Sequence, residues 1–320
     1  MKRRILVLLL SFVVIYLFNF SIPRMMPGDP FSYTSADASE NADTEMSQEQ
    51  KEYMRAYYGM DKPLLTQLKD TIKANLRGDF GQSIHYKRAA ADVIQERLPW
   101  TLFLMGATLL LSLVCGVFLA LWSIRRRRAD RVIFGICSVV TEIPSYLIGI
   151  LLLFLVAAKV KWIPLSGAVT AFAVYDSTWE WLQDVLVHAM LPILAMCLFT
   201  IPKFYFTARA SFLSIHKKPY LLAAKAKGLK ERRIRWRYIF VNGITPIVAR
   251  LFLCVGTTVG GTMLIENVFS YPGLGTIMKE SVKYRDYIMI QDIFLLSTVI
   301  VLLSLFVADL LSGLVDKEER

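Results

Sequence analysis

An all-α polytopic membrane protein, with six transmembrane helices and both termini cytoplasmic, is indicated by three features of this 320-residue chain. The first is its apolar content: 55% of the residues are hydrophobic. They gather into six runs near the length of a bilayer crossing, at about 5–22, 101–124, 132–157, 186–206, 244–266 and 289–315. The second is that no run alternates as a barrel strand does, and a lone spanning segment must satisfy its own backbone groups, which leaves helix. The third is the placing of the 37 Lys+Arg. Lys2, Arg3 and Arg4 precede the first run, Arg125 to Arg128 and Arg131 fill the second connection, and ten basic residues lie from Arg209 to Arg237. The other short connections are poor in them: 158–185 holds Lys159 and Lys161, and 267–288 holds Lys279, Lys283 and Arg285. Positive charge stays inside, so these basic segments are cytoplasmic.

The net charge of +11 is therefore mostly topology and attraction to anionic lipid. No aromatic-interleaved basic face accompanies it, so the lipid bilayer is the expected partner and nucleic acid is not. Cys115, Cys137, Cys197 and Cys254 all fall inside the apolar runs without metal-ligand spacing. His85, His188 and His216 stand apart from one another, which argues against a metal or catalytic cluster. No Gly-x4-Gly-Lys-Ser/Thr phosphate loop occurs, so the chain binds no ATP by that route and is not expected to be an enzyme.

In order along the chain, residues 1–23 form the first span; the apolar stretch exceeds a signal-peptide core and no small-x-small cleavage site follows. Pro27-Gly-Asp-Pro30 stops it. Residues 24–100 form an exterior cap region. Within it 31–46 is acidic and Ser-rich, Ser47-x-x-Gln50 is a capping box for a helix ending at Gly59, and a second helix runs from Asp61-Lys-Pro63 to Gly78. Leu65, Leu68, Ile72 and Leu76 share one side of that second helix, so a packed cap is expected to cover them. A third short helix over about 90–97 leads to Pro99 and the core at 101–315, followed by a tail at 316–320.

In the third span Glu142-Ile-Pro-Ser145 sits near mid-depth, where a carboxylate costs about 2.5–3.5 kcal/mol on insertion scales. Glu142 therefore faces a watery cavity or hydrogen-bonds a neighbouring helix, and Pro144 kinks the span. Trp179 and Trp181 suggest a helix lying along the outer surface before span four. Gly256, Gly260 and Gly261 in span five let helices approach closely or line a passage, while Arg250 is placed to snorkel toward the cytoplasm. Asp309 in the last span either packs or lines a passage.

Between spans four and five lies the one strongly basic soluble device, within a cytoplasmic loop at 207–243. Pro219 suits a first helical position and Gly228 the left-handed position past a helix end, which predicts a short helix over 219–227. A second helix follows from Lys230 toward Pro246. Lys225, Lys227, Arg232 and Arg233 are read either as a topogenic, lipid-facing cluster or as a docking face.

The motifs along the whole chain resemble one family. They are Arg24-x-x-Pro-Gly-Asp-Pro30, Tyr58-Gly-x-Asp-Lys-Pro-Leu64, Gly78-Asp-x-Gly-x-Ser83, Glu96-Arg-Leu-Pro99, Ile143-Pro-Ser145 and His188-x-x-Leu-Pro192. Ala224-Lys-Ala-Lys-Gly-Leu229 with Asn242 and Pro246, Glu266-x-Val-Phe-Ser-x-Pro-Gly-Leu-Gly275 and Arg285-Asp-Tyr287 are the strongest. Together they resemble the first (B-type) permease subunit of dipeptide/oligopeptide/nickel ABC importers. The resemblance implies an ABC importer permease fold with a small helical extracytoplasmic cap. It implies four kinds of partner: a homologous second permease subunit, two ATPase subunits carrying ATP and Mg, an extracytoplasmic substrate-binding protein, and the bilayer. It makes 219–246 an ATPase-coupling loop, in which Tyr220, Ala223, Ala224, Lys225, Lys227, Gly228, Leu229, Arg232, Arg233, Asn242 and Pro246 are the expected site residues. Pathway or gate candidates are Glu142, Pro144, Gly256, Gly260, Gly261 and Glu266. Two departures stand out: Leu222 replaces the Glu that names the loop in other ABC permeases, and Tyr238 stands where this branch often has His. Short peptides, a nickel chelate or another small solute are the cargoes in view. An ATP-independent transporter or channel is the competing class, and it lacks the charge relays or inverted repeats such proteins show.

Overall fold

The computed structural model describes residues 2–27, 30–33, 47–216 and 218–318. Gly28 and Asp29 of the first turn, most of the acidic 31–46 stretch, and the last two residues of the 316–320 tail lie outside the described residues. Helix is the regular structure of the chain, covering 79% of it. Five helices are long and apolar enough to cross a membrane, or six when one bent pair is taken as a single span. These are α1 (Lys2–Arg24), α5 (Ala90–Ser123), α8 (Thr178–His216), α11 (Val241–Val268, extended backward to Glu231) and α13 (Tyr287–Glu318). The bent pair is α6 (Arg127–Thr141) with α7 (Ser145–Leu152) and its wide π-type end Leu153–Ala157.

That pair corrects the third span. In place of one kinked helix over 132–157, two helices meet at 96° across Glu142-Ile-Pro144. Pro144 has ψ 138, off the helical region, so it opens a new helix instead of bending an old one. Two other proline readings also change. Pro99 does not separate a helix at 90–97 from the second span, because α5 runs through it. Pro192 likewise lies inside α8, which begins at Thr178, so Trp179 and Trp181 belong to the first turn of the spanning helix and not to a separate surface helix. An apolar span tolerates a proline because only one backbone bond is lost while the flanking turns remain packed.

The chain divides into two compact units, residues 1–99 with 273–299, and 100–272 with 300–320. The sequence boundary at 100 is close to the first, but 273–299 groups with the N-terminal region and not with the core. Hydrogen bonds over long sequence separations explain it. Asp286, fully buried, accepts from Ser83 Oγ, from His85 N at 3.1 Å and from Met289 N at 3.1 Å. Ser83 Oγ in turn accepts from Tyr86 N at 2.9 Å, Tyr86 donates to Glu280, and His85 stacks on Tyr284 with centroids 4.0 Å apart. Burial and the Glu280 carboxylate together raise the Tyr86 phenol well above its ordinary range. Arg24, at the end of α1, bonds Gln67 Oε1 at 3.0 Å and Gln291 Oε1 at 3.1 Å. The Gly78–Ser83 and Arg285–Tyr287 motifs thus meet in one polar knot, and Arg24 makes a second set of bonds across the same unit.

Also in this unit, α3 (Gln48–Tyr57) carries the predicted box: Gln50 N to Ser47 Oγ is 3.2 Å and Ser47 N to Gln50 Oε1 is 2.9 Å. Gly59 and Gly78 end their helices at positive φ. The packed cap is a different matter. Neither α3 nor α4 (Leu64–Asn75) buries a side chain; Leu65 and Leu76 are 74% and 84% exposed. Ile72 and Leu76 line an apolar cavity of about 600 Å³ together with residues of α1, α5 and α13.

Replacing Asp286 with Ala strands three buried donors and is expected to destabilise the protein by on the order of 3 kcal/mol. Thermal unfolding in detergent, followed by size-exclusion fluorescence, should show a clear fall in midpoint for Asp286→Ala. Asp286→Asn, which keeps an acceptor, should fall less.

Candidate functional site

The basic segment after α8 folds as its local signals require. Pro219 occupies the first turn of α9 (Pro219–Ala226), where its missing N–H leaves no bond unmade. The helix closes at Gly228, φ +68, with Gly228 N to Lys225 O at 2.9 Å and Leu229 N to Ala224 O at 3.4 Å. This pair of bonds is the Schellman closure, which needs a residue that adopts left-handed backbone at no cost. No atom lies within 4 Å of where a Gly228 Cβ would sit, so the requirement for glycine is backbone conformation alone.

α9 has two faces. Leu221 and Ala224 are buried in one core cluster with Leu121, Phe212, Ile215, Ile234 and Ile239. Tyr220, Leu222, Ala223, Lys225, Lys227 and Gly228 are exposed, as are Arg232 and Arg233 beyond the turn. At the position where a Glu was expected, Leu222 is 71% exposed, an apolar side chain set in a cationic surface. Tyr220 and Asn242 lie near each other, and the Asn242 amide donates to Tyr238 O at 2.7 Å. Beside α9 lies a cavity of about 350 Å³, lined among others by Arg125, His216, Lys225, Glu231 and Arg235, where Arg125 pairs with Glu231.

The 207–243 loop proves to be mostly helix. Residues 207–216 finish α8, and after α10 (Glu231–Arg233) a π-helical stretch Ile234–Phe240 leads directly into α11. Pro246 lies inside α11. Gly243, which the sequence did not single out, marks a tight crossing: an added Cβ would stand 2.7 Å from Phe212 Cδ1, and Ser211 Oγ donates to Gly243 O at 3.1 Å. Gly116 is similar, with Phe204 Cβ at 2.7 Å and Tyr205 N at 2.9 Å from its would-be Cβ. Asp130 was also missed, hidden among arginines. It takes Arg209 Nε and Nη2 in two bonds of 2.6 Å and Tyr205 Oη at 3.1 Å, which ties α6 to α8.

The pathway candidates do not form one surface. Glu142 and Pro144 are exposed at the bend, and Gly260 is exposed with open space around it. Gly261 faces Ser145, whose Oγ would lie 3.6 Å from an added Cβ, and Gly256 packs on Val301 at 3.2 Å. Glu266 is fully buried, with Thr101 Oγ1 donating to Oε1 at 2.6 Å, a setting that fastens the end of α11 rather than one that meets solute. Among the described residues no group of His, Cys, Asp and Glu is arranged to hold a metal ion.

Gly243→Val is expected to disrupt the α8–α11 crossing and lower the yield of folded protein from membranes severalfold. Gly260→Val, with space for its side chain, should leave the yield unchanged; quantitative immunoblotting of detergent-soluble, monodisperse protein compares them.

Residues 112–320 match the family model described as the binding-protein-dependent transport system inner membrane component. The chain is 27% identical over 318 residues to the oligopeptide transport system permease protein AppB of Bacillus subtilis, covering 98% of this chain and 96% of that one. It is 30% identical over 310 residues to the glutathione transport system permease protein GsiC of Escherichia coli K12, covering 95% of this chain and 94% of that one. With the helical architecture and several apolar spans already in view, the chain belongs to the binding-protein-dependent transport permeases, the multi-pass plasma-membrane components of ABC importers.

Proposed function

We propose that this chain forms half of the translocation pathway of an ATP-driven importer of dipeptides or oligopeptides, paired with a homologous second permease subunit. Two ATPase subunits carry the ATP and Mg, and a substrate-binding protein delivers cargo on the extracytoplasmic side. The exposed face of α9 docks in a cleft of one ATPase, with Leu222 as its apolar contact and Lys225, Lys227, Arg232 and Arg233 around it. The observation that carries this reading is the two-faced construction of α9. Its inner residues Leu221 and Ala224 are fixed in the helical core, while the outer side chains of Leu222, Lys225 and Lys227 make no hydrogen bond or ion pair among the described residues. A helix so mounted transmits a push as a rigid body about Gly228. A nickel chelate or another small solute is the second cargo reading. Oligopeptide and glutathione in the names of the relatives favour peptides.

Cysteine placed at Leu222 should cross-link to the ATPase in assembled importer, with the yield changing between nucleotide-free and ATP-trapped states. An absence of cross-link in both states, in importer that still hydrolyses ATP, overturns the docking. Gly228→Val should cut uptake at least about tenfold while assembly persists, because a β-branched residue at left-handed φ costs about 1–2 kcal/mol or more and re-aims the helix. Gly228→Asn, which tolerates that backbone, should retain most uptake.

A further inference from the structure

Two cations in the second unit lie half-buried among apolar helices with no carboxylate partner among the described residues. Lys203 lies on α8 and Arg250 on α11, and neither makes an ion pair among the described residues. Lys203 Nζ donates to Thr257 Oγ1 at 3.2 Å and lies 3.9 Å from the centroid of the Phe199 ring. Arg250 Nε is buried without a hydrogen-bond partner. The two are within electrostatic range of each other and both are within range of the Cys254 thiol, one turn beyond Arg250.

Snorkelling does not account for them. Lys203 is near the end of the apolar part of α8, and a snorkelling ammonium would reach outward to the membrane edge. Instead it reaches Thr257, well inside the apolar run of α11. Arg250 is half-buried, with its Nε enclosed by protein. On α11 the positions 250, 253, 257 and 260 recur at helical spacing, and Leu253, Thr257 and Gly260 of that stripe are exposed. Two charges at this depth cannot face hydrocarbon, so the stripe they flank faces a watery passage.

We propose that Lys203 and Arg250, with the Thr257 hydroxyl, form a carboxylate-binding station on the pathway face of this subunit, occupied in transit by the free C-terminal carboxylate of a peptide. The proposal rests on the reading of the chain as a peptide importer. Two donors of like charge, one already held by a threonine, make a station that attracts an anion and also releases it. Conduction demands that balance. An amide terminus, uncharged, gains little there.

The test uses the complete importer in proteoliposomes with its binding protein and paired peptides that differ only in a C-terminal carboxylate or carboxamide. Uptake is measured for wild type, Lys203→Gln, Arg250→Gln and the conservative Lys203→Arg, and each is expressed as the ratio of acid to amide import. The binding protein's own preference is the same for every variant and cancels. Lys203→Gln and Arg250→Gln should each lower that ratio about tenfold, the equivalent of one charge-assisted hydrogen bond, with Lys203→Arg close to wild type. Binding-protein-stimulated ATP hydrolysis should persist, which shows that the assembly is intact. Equal loss of both peptides, as when the pair answers a carboxylate of the second permease subunit, overturns the proposal; so does an unchanged ratio. Wild-type importer that carries neither peptide removes the cargo reading instead. The station is then judged by whether the same variants lose import of a carboxylate-bearing solute that the binding protein retains.

Discussion

Charge has to be answered wherever water is scarce, and in this chain that constraint sorts the polar residues into three groups. Some are closed into complete local sets. Asp286 is surrounded by donors from Ser83, His85 and Met289, and Asp130 is held in two parallel bonds by Arg209. These are fasteners: each brings together elements far apart in sequence, and each leaves no valence for a ligand. Others are left in the open, as on the outer face of α9, where water or a partner solvates them. The third group includes Lys203 and Arg250, half-buried and without a carboxylate partner among the described residues. In the proposed importer it is this last group that draws in an anion from outside the chain.

Packing divides the glycines in the same way. Gly116 and Gly243 are small because another helix occupies the space a methyl group would take. Gly228 is small because its backbone is left-handed, with open space around it. The first two make tight crossings of α8 with α5 and with α11, and in the proposed importer the third is the joint at the end of α9. A permease built to transmit force needs both, since a lever on a soft mount dissipates the push and a lever without a joint cannot be re-aimed.

Much of this was legible in the amino-acid order, and what was not has a physical reason. Helix ends were readable because their signals are local: the Ser47 box, Gly59, Gly78, Pro219 and Gly228 all act within a turn of themselves. Prolines misled, since Pro99 sits within a continuous helix while Pro144 opens a new one, and the difference lies in the packing around each rather than in the residue. The Trp179 and Trp181 pair did not mark a separate element, because interfacial aromatics serve a spanning helix equally well. Partnerships were invisible. Nothing near Ser83 announces Asp286, 203 residues away, and nothing in the string Arg125–Arg131 marks Asp130 as the residue that takes Arg209. Of the coupling segment, the exposed and buried faces follow from helical periodicity once the ends are known; the 96° break at Glu142 does not.

The helix from Glu231 to Val268 supplies the last link. Its 38 residues span about 57 Å at 1.5 Å per residue, so one element carries both the base beside α9 and the stripe of Arg250, Thr257 and Gly260. A stiff rod of that length turns a small rotation at its base into a larger displacement along its far part. The two places where it is compliant are the π-helical stretch Ile234–Phe240 and Pro246, both on the α9 side of Arg250. In the proposed importer flexure falls at the end that receives the push, and the part of α11 bearing Arg250 and Thr257 moves together with Lys203 of α8, which is bonded to Thr257. In the proposed importer this means that repositioning α9 shifts the carboxylate station relative to Ser145 and the α6–α7 bend without remaking it. Attraction for an anion is kept through the cycle while the direction in which the anion is exposed changes, and that pairing is the minimum requirement for coupling transport to a conformational step.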